Sequence, residues 1–293
     1  MNSIGFKVDE EKCIHCGLCV KDCIVKILAL NENKIPQTIT EREKNCTKCQ
    51  HCLSICPTGA LTILDKNPEN SQEATNNFNP EEVLRLIKER KSIRFYKPEN
   101  VEKEKLEKLK EMLAYVPTGV NNHSLHFSII EDVTVMDKYR KMVNDMIIKI
   151  VSNNTIKQLA KKFSRYTNAI LRGEDVIFRG APHMIVVSID KNAPCKDVDP
   201  IIALSYFELY AKSLGIGTCW CGLAYYCLQF IPNLHKIFNV PKTHKIAYVM
   251  LFGNPAIEHK RTTQPEAVPV ETITEITEVE TGFWGKLFGF LNK

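Results

Sequence analysis

Eight cysteines between residues 13 and 56 are the side chains best suited to chemistry in this sequence. They form two runs with the spacing C-x2-C-x2-C-x3-C, and Pro57 follows the second run. Three closely spaced cysteines on one loop reach three irons of a cubane cluster, and a fourth cysteine arrives from elsewhere. The spacing therefore predicts two [4Fe–4S] clusters held by thiolates.

The fourth ligand of each cluster is expected to be crossed between the two runs, as it is in two-cluster ferredoxins. One cluster is therefore assigned to Cys13, Cys16, Cys19 and Cys56. The other is assigned to Cys46, Cys49, Cys52 and Cys23. Ile24 stands where the first run would carry its proline, but that proline shapes a turn and is not a ligand.

Disulfides and structural zinc are the alternatives for this block. Disulfide scaffolds belong to secreted chains, and no apolar signal segment precedes the first cysteine. Zinc ribbons usually show two C-x2-C pairs without a third cysteine at the same spacing. We therefore expect a cytoplasmic protein in which the remaining cysteines are ordinary free thiols: Cys195, Cys219, Cys221 and Cys227.

Length and charge limit the other possibilities. The 293 residues fit two domains, and 44% hydrophobic residues support a real core. The net charge of +5 is a mild excess, and Lys and Glu are interleaved, so no nucleic-acid-binding stripe is expected. No apolar run approaches the length of a transmembrane helix, so no membrane span is expected.

The elements around the motifs predict a domain order. Residues 1–64 form the cluster domain, residues 65–79 a polar linker, residues 80–263 a second domain and residues 264–293 a tail. Asn79 and Pro80 predict the start of a helix with Val83, Leu84 and Ile87 on a buried face. Asp199 and Pro200 are expected to cap another long helix. Helices outnumber and separate the strands, which predicts an α+β or α/β layered domain.

The tail combines a Thr/Glu-rich stretch with an apolar end. Trp284, Leu287, Phe288 and Leu291 share one face if the end is helical. Such a face suits a membrane-surface anchor or an arm that packs against the body of the protein or a partner subunit. The short length and low charge favour packing.

A second chemical motif is Arg90-x-Ser92-x-Arg94, which directly follows a predicted helix. Two guanidinium groups and a hydroxyl at alternate positions can converge on one phosphate, because arginine binds phosphate with two parallel hydrogen bonds. Taken alone, the motif also fits a solvated helix end. Three further motifs follow it: Pro117-Thr-Gly-Val-Asn121, Gly215-x-Gly-Thr-Cys-Trp-Cys-Gly222 and Gly253-Asn-Pro255 with Lys260-Arg261.

The order of these four motifs resembles the FMN-dependent nitroreductase family over residues 80–263. With the cluster domain, the chain is similar to ferredoxin–nitroreductase fusions of anaerobes. The resemblance implies an α+β fold with a small ferredoxin-like domain, a mixed, mostly antiparallel central sheet, and FMN at a homodimer interface.

Site residues are also implied by the resemblance. Arg90, Ser92 and Arg94 would hold the FMN phosphate and ribityl end, with added charge from Lys260 or Arg261. Thr118 and Asn121 would contact the ring or ribityl chain. Cys221 and Gly222 would present backbone amide to flavin N5 or O4, where hydride or a proton arrives.

At three places the sequence differs from the pattern expected at a flavin, metal or dinucleotide site. Many members of the family have Gln-Pro where this chain has His123-Ser124, so His123 is a candidate proton donor or merely polar lining. Cys219 and Cys221 are spaced too closely to share one metal. Gly215-x-Gly217 lacks the third glycine of a dinucleotide fingerprint because Trp220 occupies its place. Because the family binds NAD(P)H by stacking on flavin, nicotinamide remains a possible donor.

The predicted function is an oxidoreductase in which [4Fe–4S] clusters relay single electrons to FMN. The reduced flavin would serve a nitroaromatic, a quinone or a similar conjugated small molecule. The donor would be an external low-potential protein such as ferredoxin. Two alternatives remain open: electrons from NAD(P)H passing outward through the clusters, and a non-catalytic electron-transfer or redox-sensing module.

Overall fold

The computed structural model describes residues 4–75, 77–151, 164–231 and 233–276. The chain divides into two compact units, Met1–Lys260 and Arg261–Lys293. The predicted apolar face around Trp284 lies outside the described residues. The boundaries at 64, 79 and 263 remain predictions. No helix in the described ranges is long and apolar enough to cross a membrane.

The cysteine-rich part of the larger unit is built from short elements. Strands β1 (Lys7–Val8) and β4 (Leu61–Thr62) pair antiparallel, as do β2 (Leu28–Leu30) and β3 (Pro36–Thr38). Helix α1 (Leu18–Asp22) follows the first cysteine loop and α2 (His51–Ser54) follows the second. A small core of Cys19, Ile27, Leu28 and Leu61 lies between them. So small a core buries little apolar surface, so bound clusters are expected to supply much of its stability.

A four-stranded antiparallel sheet forms the centre of the second part. Its strands are β5 (Leu125–Ile130), β6 (His183–Asp190), β7 (Gly217–Trp220) and β8 (His244–Gly253), in the spatial order β5-β6-β8-β7. A parallel bridge between Ser92 and Thr218 adds the one segment of mixed direction seen among the described pairings. The predicted α+β class is confirmed.

Alternate residues of β6 point to opposite sides of the sheet, so both faces are apolar. Helices cover both of these faces. Met184 and Val186 enter one core, and Ile185 and Val187 enter the other. The first core is covered by α5 (Val133–Val151), α6 (Ser164–Leu171) and α8 (Gly222–Phe230). The second is covered by α4 (Lys103–Met112) and α7 (Asp199–Ser213). This arrangement explains why β6 is apolar at almost every position.

Helix α3 (Pro80–Glu89) begins as predicted but does not bury its apolar stripe. The Asn79 side chain accepts a hydrogen bond from the Glu81 amide at 3.0 Å, so the predicted N-cap is present. The prediction that this face of α3 is buried is wrong within the single chain, because Val83, Leu84 and Ile87 are 47%, 42% and 50% exposed. The periodicity predicts an apolar stripe correctly, but no element among the described residues covers it.

Candidate functional site

The two cysteine loops share one backbone design. In the first loop His15 and Gly17 adopt left-handed conformations, with φ of 56° and 69°. In the second loop Lys48 and Gln50 occupy the same motif positions, with φ of 56° and 59°. Left-handed residues reverse the chain locally, which allows successive cysteines to turn toward a common centre. The repeated spacing therefore produces repeated geometry.

The first set of predicted ligands is brought together. Cys13, Cys16, Cys19 and Cys56 all line one cavity, together with Gly17 and Pro57. Cys56 reaches this cavity from the far end of the second run, as the crossed assignment requires. The thiols surround a volume, and in the described ranges no three His, Cys, Asp or Glu side chains converge on a single point as ligands of one ion.

The second set lies against the same small core. Cys23, Cys46 and Cys52 pack against Cys19 and its apolar neighbours. Burial raises the pKa of Cys52 to about 11, and the nearby Cys49, Cys46 and Cys19 add to the rise. A thiol in this environment needs a positively charged partner to become a thiolate at neutral pH, and cluster iron supplies one.

Backbone amides point at two of the cluster sulfurs. The Ala60 amide donates to Cys56 Sγ at 3.3 Å, and the Lys48 amide donates to Cys46 Sγ at 3.4 Å. Hydrogen bonds to the sulfurs stabilise thiolate charge and influence cluster potential. The donor set therefore fits two thiolate-bound clusters.

The predicted phosphate-binding segment lies between two parts of the second domain. On one side the Ile93 amide donates to the Thr218 carbonyl of β7 at 2.8 Å. On the other side the Lys97 amide donates to the Asn254 carbonyl at 2.9 Å, just after β8. Three of the four motifs that were separate in sequence are therefore adjacent in the fold.

Glu208 organises this region from the middle of α7. Its carboxylate is buried and accepts hydrogen bonds from Arg90 Nη1 at 3.2 Å, Thr218 Oγ1 at 3.3 Å and Trp220 Nε1 at 3.0 Å. The negative charge anchors Arg90 beside β7. Because a guanidinium carries five N–H donors, Arg90 retains donors for an anion.

Arg179 is a basic residue near this segment that the sequence motifs did not indicate. It follows Phe178 with a left-handed φ of 55° and is half-buried. Burial raises the pKa of Cys219, and the charges of Arg94 and Arg179 act in the opposite direction. Both arginines therefore lie close to the end of β7.

Cys221 and Gly222 form the start of α8. Cys221 is the N-cap: its Sγ accepts from the Ala224 amide at 3.4 Å and donates to the Ile177 carbonyl at 3.2 Å. Burial raises its pKa to about 11, so the side chain is a neutral thiol. Amides in the first turn of a helix lack intrahelical partners, which leaves the Gly222 amide suited to an acceptor such as flavin O4 or N5.

Residues 117–123 form a tight loop near the start of α7. The Gly119 amide donates to both Asp199 oxygens, at 3.0 and 3.2 Å. Asp199 is therefore not the predicted N-cap; it is the first helical residue, and Val198 occupies the cap position. A Cβ on Gly119 would lie 2.3 Å from Cys195 Sγ, so only glycine fits.

Two of the predicted site residues in this loop, Asn121 and His123, have left-handed backbones, whereas Thr118 is extended with a φ of −133°. Val120, Asn121 and His123 have φ of 49°, 55° and 48°. Such conformations cost about 1–3 kcal/mol each outside glycine, and Asn tolerates them best. Thr118 Oγ1 accepts from the His123 amide at 3.1 Å, and the His123 side chain is exposed.

The two halves of the predicted flavin site lie at different points on α7. Asp199 holds the 117–123 loop, and Glu208 holds Arg90, nine residues further along. That interval corresponds to about 14 Å along a helix axis. Lys260 pairs with Glu258, and both side chains are exposed, so its charge is already matched. Arg261 begins the smaller unit.

The fold and sites define a class of protein: a two-cluster iron–sulfur domain joined to an α+β domain whose arginine segment lies beside β7 and the end of β8. Residues 87–254, more than half of the chain, match the nitroreductase family, and the chain belongs to it. Residues 9–60 match the 4Fe–4S dicluster domain. The predicted ferredoxin–nitroreductase fusion and its two [4Fe–4S] clusters are confirmed.

Known proteins resemble each part. A putative NADH dehydrogenase/NAD(P)H nitroreductase of Archaeoglobus fulgidus is 25% identical over 61% of this chain and 88% of its own length. A ferredoxin of Methanothermococcus thermolithotrophicus is 31% identical over 19% of this chain and 92% of its own. The crystal structure of a nitroreductase with bound FMN from Desulfitobacterium hafniense superposes with a TM-score of 0.51 and 26% identity, over 69% of this chain and all of that one.

Other relatives match only a short part of this chain, 27% and 19% of it in two cases. The chain spans 15% of an archaeal-type glutamate synthase of Dehalococcoides mccartyi and 26% of the ferredoxin-type protein MauM of Methylobacillus flagellatus.

Proposed function

We propose that this protein is an FMN-dependent oxidoreductase in which the two clusters relay single electrons to FMN. The reduced flavin then serves a nitroaromatic, a quinone or a similar conjugated acceptor. The observation that carries the proposal is that the segment from Arg90 to Lys97 contacts both β7, which leads directly into α8, and the residues after β8. The FMN in the D. hafniense relative supports the choice of flavin.

Each part of this site has a task toward the cofactor. Arg90, Arg94 and Arg179 supply positive charge for the phosphate, and the Ser92 hydroxyl adds a donor. The Gly222 amide faces the ring, and Thr118 and Asn121 contact the ring or ribityl chain. When bound, FMN would accept electrons one at a time and donate them as a pair.

The aromatic side chains next to this site favour a planar acceptor. Tyr248 stacks on Tyr225 with centroids 5.3 Å apart and packs against Trp220 at 5.4 Å. Trp220 directly precedes Cys221, Tyr225 lies in the first turn of α8, and the Tyr248 hydroxyl lies 3.6 Å from the position of a Cβ on Gly222. Aromatic surfaces bind flat conjugated molecules through offset stacking, which suits nitroaromatic and quinone rings.

A homodimer is proposed from the uncovered apolar stripe of α3. Val83, Leu84 and Ile87 are exposed there, and Ile201 and Tyr206 are exposed on α7. A second copy of the chain would bury both. In analytical ultracentrifugation we expect the double variant Val83→Glu with Ile87→Glu to sediment as a monomer. The control variant Lys88→Glu, on the same helix, should remain a dimer. A double variant that still sediments as a dimer would place the interface elsewhere.

An NAD(P)H-dependent direction of electron flow is the second candidate. The name of the A. fulgidus relative refers to NADH and NAD(P)H. In this case hydride enters at the flavin and the clusters pass electrons outward to a protein acceptor. The donor decides between the two directions.

The cofactor site is tested by removing two charges. Arg90→Ala with Arg94→Ala removes two charge-assisted contacts, each worth about 1.5–3 kcal/mol, so FMN affinity should fall about 100-fold or more. Cluster absorbance should stay intact. Arg85→Ala, an exposed arginine paired with Glu89, is the control. Retention of flavin by the double variant would show that the phosphate lies elsewhere.

A further inference from the structure

The second cysteine loop touches the loop of residues 117–123. Thr47 lies between Cys46 and Cys49, and its carbonyl accepts a hydrogen bond from Asn121 Nδ2 at 2.9 Å. Asn121 is a half-buried residue of the loop that is expected to contact the flavin. The contact therefore joins the backbone between two cluster ligands to the predicted cofactor site.

The loop that carries Asn121 is fixed from several sides. Asp199 holds the Gly119 amide, and Asn122 Nδ2 donates to the Gly119 carbonyl at 2.9 Å. Asn121 itself has a left-handed φ of 55°. A side chain on a backbone so constrained presents its amide in one direction, which makes it a suitable positioning group.

The two cysteine loops differ in exposure at matching positions. Cys16 is the second cysteine of the first run and is exposed, whereas its counterpart Cys49 is half-buried. Ile14 and Leu18, which line the cavity of the first set, are also exposed. The first set therefore offers an accessible surface, and the second set faces the nitroreductase domain through Thr47.

We propose that the cluster of Cys46, Cys49, Cys52 and Cys23 is the inner cluster that exchanges electrons with the flavin, and that the cluster of Cys13, Cys16, Cys19 and Cys56 is the outer one that meets the external donor. Asn121 is the positioning residue that docks the inner cluster loop. This order rests on the proposed function. Cys19 and Cys52 pack in one core, so the two clusters are neighbours.

Electrons pass one at a time from the external donor through the two clusters to FMN. A low-potential one-electron donor is oxidised as the outer cluster gains one electron, and the outer cluster is reoxidised as the inner cluster gains it. The inner cluster is reoxidised in turn as the electron reaches the flavin. Two such passages, with two protons from water, complete the reduction of FMN, and a two-electron acceptor then restores it.

Matched ligand variants test the order. Cys16→Ser and Cys49→Ser occupy equivalent positions in the two loops, and each should remove one cluster while FMN stays bound. Stopped-flow mixing with reduced ferredoxin and, separately, reduced methyl viologen follows cluster and flavin absorbance. In Cys49→Ser the outer cluster should be reduced while flavin reduction falls by at least an order of magnitude. In Cys16→Ser the small viologen should still reduce flavin through the inner cluster. The opposite pattern would overturn the order.

A second pair of variants keeps both clusters in place. Asn121→Gly removes the amide and tolerates the left-handed backbone, and Val120→Gly is the control on a neighbouring exposed residue with a similar φ. Hydrogen exchange of the 45–50 segment should rise in Asn121→Gly alone, with slower cluster-to-flavin transfer at unchanged iron content. Unchanged exchange and transfer would refute the docking role. A wild-type protein whose reduced clusters never reduce its flavin would instead refute the proposed function.

Discussion

Replacing Glu208 by glutamine is expected to damage both stability and FMN binding. The Glu208 side chain is buried, with the residue 6% exposed, and it accepts hydrogen bonds from Arg90, Thr218 and Trp220. All three partners are donors. Glutamine keeps one acceptor oxygen and places an NH2 group where an acceptor is required, so at least one partner loses its bond.

The size of the effect follows from burial. A buried donor left without a partner costs about 1–3 kcal/mol, and this cost falls on the Thr218 and Trp220 side. Arg90 is 38% exposed, so water partly replaces its lost contact. The lost charge attraction is therefore discounted to about 1 kcal/mol or less. The expected loss in free energy of unfolding is about 1–4 kcal/mol.

FMN affinity should fall with stability, because Glu208 holds Arg90 beside β7. If Arg90 moves and loses about 1.4 kcal/mol of its interaction with the phosphate, the Kd for FMN rises tenfold. Anaerobic denaturant unfolding and flavin-fluorescence titration measure the two effects. Glu104→Gln is the control, since Glu104 forms a solvent-exposed pair with Lys108 that contributes little to stability. If Glu208→Gln matched this control in both assays, the role assigned to Glu208 would be wrong.

Three further outcomes are expected. Gly119→Ala should destabilise the protein by about 1–3 kcal/mol by overpacking, because the added Cβ would lie 2.3 Å from Cys195 Sγ and 2.8 Å from Cys195 Cβ. Cys195→Gly removes both of these atoms and should restore part of the loss. No rescue in the denaturation midpoint would contradict this reasoning. Burial lowers the pKa of His183, so below about pH 6.5 the unfolded state gains a proton that the native state does not, and stability falls as pH drops. The free energy of unfolding of His183→Gln should therefore fall less between neutral and acidic pH than that of the wild type. An equal fall in the two proteins would exclude His183 as its source. Anaerobic iron chelation should raise hydrogen exchange across residues 4–64, whose core is small, and leave β6 protected; uniform loss of protection would show that the two parts unfold together.

The cluster site could be predicted because its determinants are local. Each cysteine run fixes its own loop, and the crossed position of Cys56 followed from the repetition of the runs. The α3 start was also local: Asn79 and Pro80 sufficed. The burial of Val83, Leu84 and Ile87 was not, because burial depends on what covers a helix. Within one subunit nothing described does so.

The rest of the candidate site depends on long-range packing. Arg179 follows an unremarkable apolar segment, and only the fold brings its charge to the end of β7. Glu208 is a polar residue within a largely apolar helix, and its partners lie on other elements: Thr218 and Trp220 on β7, and Arg90, 118 residues away. Asp199 looked like a helix cap, but it serves the 117–123 loop. Side chains whose partners are remote in sequence carry no local signal.

Anaerobic stopped-flow reduction tests the central claim most directly. Protein purified with about eight irons and one FMN per chain is mixed with reduced ferredoxin or with NADH. The proposed relay predicts that ferredoxin bleaches the clusters first and the flavin second, and that an added nitroaromatic or quinone then reoxidises both. Bleaching of the flavin by NADH before the clusters would reverse the direction. A flavin that neither donor reduces would contradict the claim.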